Sequence, residues 1–288
     1  MEITYNTKLY SLIGSPIYKS LSPIIHNNIF KNLNENSIYL AFDILEDDLK
    51  STIEGFKSMK IGGFNVTIPY KKSIIKFLDD LSVDAKIIGA VNTVKNQNGK
   101  LIGYNTDGQG FLQTFHNHNI SVENKNVLIL GSGGTAYGIA ATLAMNDVSN
   151  IYIANRTLEN AVILEENIKK INKNISTKIF DLNLNGLYKE NIHIIINTTA
   201  IGMYPLENMV PVELNGFSKN TIVYDIIYKP KETKLIKEAK IKGMTTFNGL
   251  SMLLNQAILS QSIWHNGNLK INTRNVRELE GILDTYVE

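Results

Sequence analysis

The chain has 288 residues, 43% of them hydrophobic, and a net charge of +2. That length suits one large or two ordinary domains with real cores, and the nearly balanced charge offers no basic patch of the kind that nucleic-acid binding needs. Cysteine is absent, which excludes disulfides, thiolate metal sites and a cysteine nucleophile, and fits a cytoplasmic location.

Strand-like and helix-like segments alternate along the chain. Residues 8–14 (KLYSLIG) read as a strand. Ser22-Pro23 offers a helix N-cap followed by proline at the first helical position. Ile24, Ile25, Asn28, Ile29 and Leu33 continue at helical spacing. A strand at 37–44 precedes a helix at 46–58 that carries Leu49, Ile53 and Phe56 on one face. A strand at 61–67 is followed by helical turns at 70–78 and 83–88. Asn98-Gly99 is a two-residue turn signal and joins 90–95 to 100–104 as a hairpin. A helix covers 107–117. The pattern then restarts with a buried strand at 126–130, a glycine loop, and a helix of small residues over 136–145. Strands at 150–154, 176–180, 192–197, 221–226 and 244–247 alternate with helices at 158–171 and 232–241. The tail is helical, over 250–265 and 273–286. The N-terminus lacks a basic stretch followed by a long apolar one, so no signal peptide is expected. No apolar run approaches the ~18 residues that span a bilayer.

This alternation predicts an α/β protein of two domains with mostly parallel sheets. The glycine loop opens a fresh strand–helix–strand series. The first domain is therefore expected over 1–107 plus 249–288, and a Rossmann-like domain over 108–248. The two final helices have no sheet of their own to cover and are expected to pack back on the first domain.

Gly131-Ser132-Gly133-Gly134-Thr135-Ala136 matches the G-x-G-x-x-G/A pattern, between an apolar strand and a helix of small residues. The first glycine permits the tight turn, the second lets backbone N–H groups approach a pyrophosphate, and the small last position lets helix and strand pack closely. At the end of the next strand, where NAD-binding folds usually carry an acid for the ribose, this chain has Asn155-Arg156-Thr157. A guanidinium there grips a 2′-phosphate, which favours NADP. The plainer alternative is a surface arginine opening a helix.

Gly63-Phe64-Asn65-Val66-Thr67-Ile68-Pro69-Tyr70-Lys71 places polar groups where a buried strand ends. Asn65 and Thr67 alternate on one face, as a period of two requires. They suit a polyhydroxylated small molecule. Lys71 follows closely. Desolvation disfavours an ammonium, so a lysine in a closed cleft can donate or accept a proton near neutral pH. A nearby carboxylate opposes that shift and orients the amine, and Asp107 is the candidate. Ser20 and Ser22 could bind a carboxylate beside a helix N-terminus; Ser22 also has a simpler explanation as the helix cap, and Ser20 does not. There is no H-E-x-x-H, G-x-S-x-G, P-loop or Tyr-x-x-x-Lys pattern, and no metal site is expected.

Taken in order, these segments resemble the shikimate dehydrogenase family over essentially the full chain. The matching pieces are Ser20-Leu21-Ser22-Pro23 with His26-Asn27; Asn65 through Lys71; Gly89-Ala90-Val91-Asn92-Thr93; Asn105-Thr106-Asp107-Gly108; the glycine loop; Asn155-Arg156-Thr157; Asn197-Thr198-Thr199 with Gly202-Met203; Tyr224-Asp225 through Tyr228 and Pro230; and Asn248-Gly249-Leu250-Ser251-Met252-Leu253 ending in Gln256. The resemblance implies reversible, NADPH-dependent reduction of 3-dehydroshikimate to shikimate, with Lys71 and Asp107 as the catalytic pair. It implies that Ser20 and Ser22 hold the carboxylate, that Asn65, Thr67, Asn92, Asp107 and Gln256 bind hydroxyls, and that Tyr228 lies nearby. Ile226 and Gly249 would approach the nicotinamide end, and Gly131, Ser132, Gly133, Gly134, Thr135, Asn155, Arg156 and Thr157 would hold the rest of the cofactor. Two departures stand out. Glu159 and Asn160 occupy a region where NADP-selective members often carry a second basic residue, and Ser251 replaces a frequent glycine. The alternatives are a quinate/shikimate dehydrogenase using NAD or both cofactors, and a non-catalytic shikimate-binding sensor. Small molecules are the expected partners, without nucleic acid or membrane, and a monomer or homodimer is expected.

Overall fold

The computed structural model describes residues 2–181 and 190–287. The chain divides into two compact units, Met1–Gly110 with Leu254–Thr285, and Phe111–Leu253 with Tyr286–Glu288.

The first unit is built on strands β1 (Lys8–Gly14), β2 (Ser37–Asp43), β3 (Gly63–Val66), β4 (Asp80–Leu81), β5 (Thr93–Gln97) and β6 (Lys100–Tyr104). They form one sheet in the order β2-β1-β3-β5-β6-β4. The pairs β1–β2, β1–β3 and β4–β6 are parallel; β5 runs antiparallel to both β3 and β6. The reversal follows from the hairpin, whose Asn98 and Gly99 both take positive φ, 55° and 89°, as a type I′ turn requires. The two-residue β4 escaped the sequence pattern because so short a run carries no period.

Strand β1 shows why the sheet is covered on both faces. Tyr10 and Leu12 enter one cluster with Phe30, Tyr39 and Trp264. Ile13 enters another with Leu49, Ile53, Phe56, Phe64 and Val66. Successive side chains of a strand alternate between faces, so an apolar run buries both. The Leu49, Ile53 and Phe56 stripe expected from the sequence is buried, on helix α2 (Leu49–Ser58).

Helix α1 (Ser22–Asn32) departs from expectation. Its N-cap is Leu21, without a side-chain cap bond, and Ser22 lies inside the first turn. The Ser22 N–H instead donates to Ser20 Oγ at 3.3 Å. Ser22 is thus not the cap expected: Ser20 serves a first-turn amide, and the buried Ser22 hydroxyl bonds to Tyr39. The strand expected from residue 90 begins at Thr93; residues 90 and 91 bond elsewhere, Val91 N–H donating to the Lys71 carbonyl at 2.7 Å and Asn105 Nδ2 to that of Ala90 at 3.0 Å.

Residues 254–264 of helix α8 (Gly249–Trp264) pack on this sheet. Trp264 Nε1 donates to the Val94 carbonyl at 3.0 Å, and the buried Lys95 ammonium donates to the Ile263 carbonyl at 2.7 Å, capping the helix C-terminus. His265 Nε2 meets Glu35 Oε2 at 2.6 Å. The bond to Glu35 raises the His265 pKa, and the bond to His265 lowers that of Glu35. The His265 contribution is full below its ordinary 6.5 and lost as pH rises through its raised value. The Glu35 contribution is full above 4.5 and lost as pH falls through its lowered value. Melting curves of His265→Gln against the unmodified chain should therefore differ most between pH 4.5 and 6.5 and converge in alkali; a pH-independent gap would contradict the pairing.

The second unit is a parallel sheet of β7 (Asn126–Leu130), β8 (Asn150–Ala154), β9 (Ser176–Phe180), β10 (Ile194–Asn197), β11 (Ile222–Asp225) and β12 (Thr246–Phe247), in the order β12-β11-β10-β7-β8-β9. Helices α5 (Gly134–Ala144), α6 (Leu158–Ile171) and α7 (Lys234–Ile241) connect its strands. Its core joins Leu128, Leu130, Tyr152, Ile195, Val223, Leu235 and Ile236. The last strand is shorter than expected because Met244 N–H turns back to the Ala239 carbonyl at 3.0 Å, closing α7. Helix α4 (Asp107–Asn117) spans the first division between units and α8 the second.

Candidate active site

In the first unit, polar residues from β3, β5, α4 and α8 converge at a buried cluster. Lys71 and Asp107 are 8% and 4% exposed, and Lys71 Nζ donates to Asp107 Oδ2 at 2.6 Å. The Lys71 backbone is held by the Val91 bond, and Asp107 opens α4, its N–H donating to Asn105 Oδ1 at 3.1 Å. Asn92 Nδ2 donates to Asp107 Oδ1 at 2.8 Å and to Thr106 Oγ1 at 2.9 Å. Asn92 Oδ1 accepts from Thr106 N–H at 2.9 Å and Thr93 Oγ1 at 3.0 Å. Because a carboxylate only accepts, Asp107 sets the orientation of the Asn92 amide. Both carboxylate oxygens are engaged, which a buried ion pair needs to offset its desolvation.

Asn65 continues the network. Its Oδ1 accepts from Tyr39 Oη at 2.8 Å, and its Nδ2 faces the Asn92 carbonyl at 3.1 Å, Thr93 Oγ1 at 3.0 Å and Ser260 Oγ at 3.1 Å. Ser260 also meets Thr93 Oγ1 at 2.8 Å and bonds back to the Gln256 carbonyl at 2.9 Å. Gln256 Oε1 accepts from Asn92 Nδ2 at 3.4 Å. Burial holds the Tyr39 hydroxyl well above its usual range, and its ring stacks on His26 at 4.2 Å. Burial pushes the His26 imidazole down to about 3, so it is neutral at physiological pH.

The structure thus joins Lys71, Asp107, Asn92, Asn65 and Gln256 in one network, with Ser22 attached through Tyr39. Ser20 is linked through the Ser22 amide. Thr67 contributes its backbone, donating to the Ile13 carbonyl and accepting from Tyr70 N–H, each at 2.9 Å. Tyr228 belongs to the second unit, where burial raises its hydroxyl pKa. Sequence reasoning passed over Tyr39, Thr93, Thr106 and Ser260. Ser260 was findable, since it lies four residues after Gln256 on the same helical face. Thr93 and Thr106 adjoin Asn92 and Asp107 in the quoted motifs. Tyr39 reads as an ordinary strand residue.

In the second unit, the glycine loop links β7 to α5. Gly131 has φ +102°, and its N–H donates to the Ala154 carbonyl at 2.8 Å. A Cβ there would meet Thr198 Oγ1 at 2.7 Å, so the position requires glycine. Gly133 is the N-cap of α5, extended, with open space where a Cβ would stand. The N-terminus of this eleven-residue helix turns its dipole toward the loop, which favours an anion there. Asn155, Arg156 and Thr157 follow β8, the parallel neighbour of β7. Asn155 Nδ2 donates to the Thr157 carbonyl at 2.7 Å, bending this segment ahead of α6, and Arg156 is exposed. Glycine turn, open helix N-terminus and exposed guanidinium fit a phosphorylated dinucleotide. Gly249 packs so closely on Ile226 that a Cβ would lie 1.8 Å from the Ile226 carbonyl oxygen. Among the described residues no His, Asp or Glu cluster could hold a metal, and no helix is long and apolar enough to cross a membrane.

A buried lysine–carboxylate pair in one α/β unit and a dinucleotide fold in the other point to a nicotinamide-dependent oxidoreductase. Comparison with known proteins narrows that class. Residues 12–94 match the shikimate dehydrogenase substrate binding domain, and residues 114–227 match the shikimate / quinate 5-dehydrogenase family. The chain belongs to the shikimate dehydrogenase family. A shikimate dehydrogenase (NADP(+)) of Methanococcus maripaludis is 47% identical over 264 residues, covering 91% of this chain and 93% of the relative. A crystal structure of a shikimate dehydrogenase with NADP+ superposes with a TM-score of 0.89 at 41% identity, covering 100% of this chain and 98% of the other. Shikimate 5-dehydrogenase from Listeria monocytogenes, with shikimate and NAD, gives 0.90 at 36% identity and 98% coverage of each chain.

Proposed function

We propose that this protein catalyses the reversible, NADPH-dependent reduction of 3-dehydroshikimate to shikimate. The observation that carries the reading is the buried Lys71–Asp107 pair, oriented by Asn92, in a chain whose other unit fits a phosphorylated dinucleotide. When bound, the nicotinamide supplies hydride to the ketone carbon. In this reading Lys71 donates a proton to the C3 oxygen in reduction and takes it back in oxidation, and Asp107 orients the ammonium and accepts from a substrate hydroxyl. Asn65, Thr67, Asn92 and Gln256 hold the ring hydroxyls, with Tyr228 assisting. Ser20 and Ser22 take the carboxylate, the Ser22 hydroxyl turning from Tyr39 toward the ligand. Backbone amides of Gly131, Ser132, Gly133, Gly134 and Thr135 face the pyrophosphate, Asn155, Arg156 and Thr157 the adenosine 2′-phosphate, and Ile226 and Gly249 the nicotinamide. The reading places the enzyme in the cytoplasm, as a monomer or homodimer acting on small molecules, without a nucleic-acid partner.

The reaction is tested by following reduced nicotinamide with shikimate or quinate against NADP or NAD. Turnover with shikimate and NADP supports the assignment. Turnover with quinate or NAD at a comparable rate favours the quinate/shikimate dehydrogenase reading. Binding of shikimate without turnover favours a sensor. The second reading has one observation of its own: Glu159, in the first turn of α6, stands where a second cation would strengthen NADP selectivity. Losing a charge-assisted contact costs about 1.5–3 kcal/mol. Arg156→Ala should therefore raise the NADPH KM about 10- to 100-fold and leave the NADH KM nearly unchanged. Equal effects on both would remove Arg156 from the phosphate site.

A further inference from the structure

Asp225 ends β11, is fully buried, and has no part in the chemistry proposed above. Its oxygens are nonetheless heavily engaged. Oδ1 accepts from Asn197 Nδ2 at 3.0 Å and from Ile227 N–H at 3.1 Å; Oδ2 accepts from the Thr233 hydroxyl at 2.7 Å. Thr233 is the N-cap of α7, its oxygen accepting from Ile236 N–H at 3.3 Å. One carboxylate thus ties together the end of β10, the turn after β11 and the start of α7. The same turn carries Ile226 and Ile227. Ile226 N–H donates to the Asn197 carbonyl at 3.1 Å, and the Ile227 carbonyl accepts from Gly249 N–H at 3.0 Å. Gly249 rests directly on the Ile226 carbonyl. A continuous hydrogen-bonded path runs from Asp225 through Ile227 to Gly249.

We infer that Asp225 is a positioning residue of the cofactor site: with Thr233, its carboxylate holds the 226–227 backbone against Gly249, where the nicotinamide end is seated. The inference rests on the proposed assignment of Ile226 and Gly249. A purely structural carboxylate inside a sheet end would have no need of a turn that bears on the ligand. This one binds the Ile227 amide, and the carbonyl of that same residue takes the Gly249 N–H.

The electrostatics agree with the geometry. Burial pushes the Asp225 carboxyl up to about 6, against the opposing bonds from Thr233, Ile227 and Asn197. None of these partners is charged. The charged residues flanking Thr233, Glu232 before it and Lys234 at the start of α7, are exposed and bonded to Lys240 and to the Asn208 carbonyl, and Tyr228 in the turn is partly buried. An acid raised in the fold contributes fully below its ordinary 3.8, and that contribution is lost as pH rises through about 6. Above that pH, the ionised group binds its three donors more strongly than a neutral one would.

Thr233→Val removes one partner of the carboxylate at nearly constant shape, and Thr233→Ser keeps the hydroxyl. The valine variant should raise the NADPH KM about 5-fold or more and lower kcat, with the 3-dehydroshikimate KM within about two-fold; serine should restore both. Two outcomes overturn the inference: a folded valine variant with unchanged cofactor KM and kcat, or an equal rise in both KM values that serine does not rescue. NADPH fluorescence titration reads the cofactor site without turnover. If the unmodified enzyme binds NADPH but fails to reduce 3-dehydroshikimate, the reaction assignment falls, and the same titration on the variants still decides the role of Asp225.

Discussion

Lys71→Ala is expected to lower kcat for shikimate oxidation by about 10²- to 10⁴-fold, the range for a positioned proton-transfer group. The reason lies in the pair. Lys71 Nζ is 2.6 Å from Asp107 Oδ2, and both side chains are nearly inaccessible to water. Truncation removes the proposed proton-transfer group and strands a buried carboxylate that keeps the Asn92 amide on its other oxygen. Breaking a buried pair in this way costs about 3–5 kcal/mol, so the melting temperature should also fall. Lys71→Arg separates two functions of the lysine. Arginine stays charged across the working pH range and transfers protons poorly. If Lys71 only stabilises negative charge at the C3 oxygen, the arginine variant should recover much of the rate. If it moves the proton, the variant should remain close to alanine. Full activity in Lys71→Ala would remove this residue from the chemistry altogether.

Gly249→Ala is expected to be nearly as damaging, for a steric reason. The added Cβ would stand 1.8 Å from the Ile226 carbonyl oxygen and 2.4 Å from its carbon, both backbone atoms. To reach even 3.0 Å, the turn or the start of α8 must retreat by 3.0 − 1.8 = 1.2 Å. The turn resists, being held by Asn197, by Asp225 and by the Gly249 N–H itself. A misplacement of about 1 Å can cost about 10²-fold in rate, and forced overpacking about 1–3 kcal/mol. The predicted signature is a kcat about 100-fold lower, a cofactor KM that rises more than the substrate KM, and a lower melting temperature. Unaltered kinetics would show that the Ile226–Gly249 contact has no bearing on the cofactor.

Much of this protein was legible without coordinates, for local reasons. Apolar period and turn chemistry act over a few residues. They placed β1, the Leu49–Ile53–Phe56 stripe, the Asn98-Gly99 hairpin and the strand–glycine–helix unit at residue 131. The residue types at the strand ends also suggested a chemistry, through a lysine in the company of amides and hydroxyls and through glycines between a strand and a helix. The partners were another matter. Asn65 bonds to Ser260, which is 195 residues away, and Lys71 to Asp107, 36 residues away; no local period links such positions. Ser22 does not cap its helix; its hydroxyl bonds instead to Tyr39, which β2 brings in from further along the chain. Gly249 needs glycine because the Ile226 backbone passes over it, not because of its own dihedral angles. Asp225 read as one letter in a motif, and only the meeting of β10, β11 and α7 made it a junction. The chain's own order therefore set which elements form and which groups are available. Packing decided which groups meet, because hydrogen bonds and steric contacts depend on distances that only the assembled sheet and helices establish.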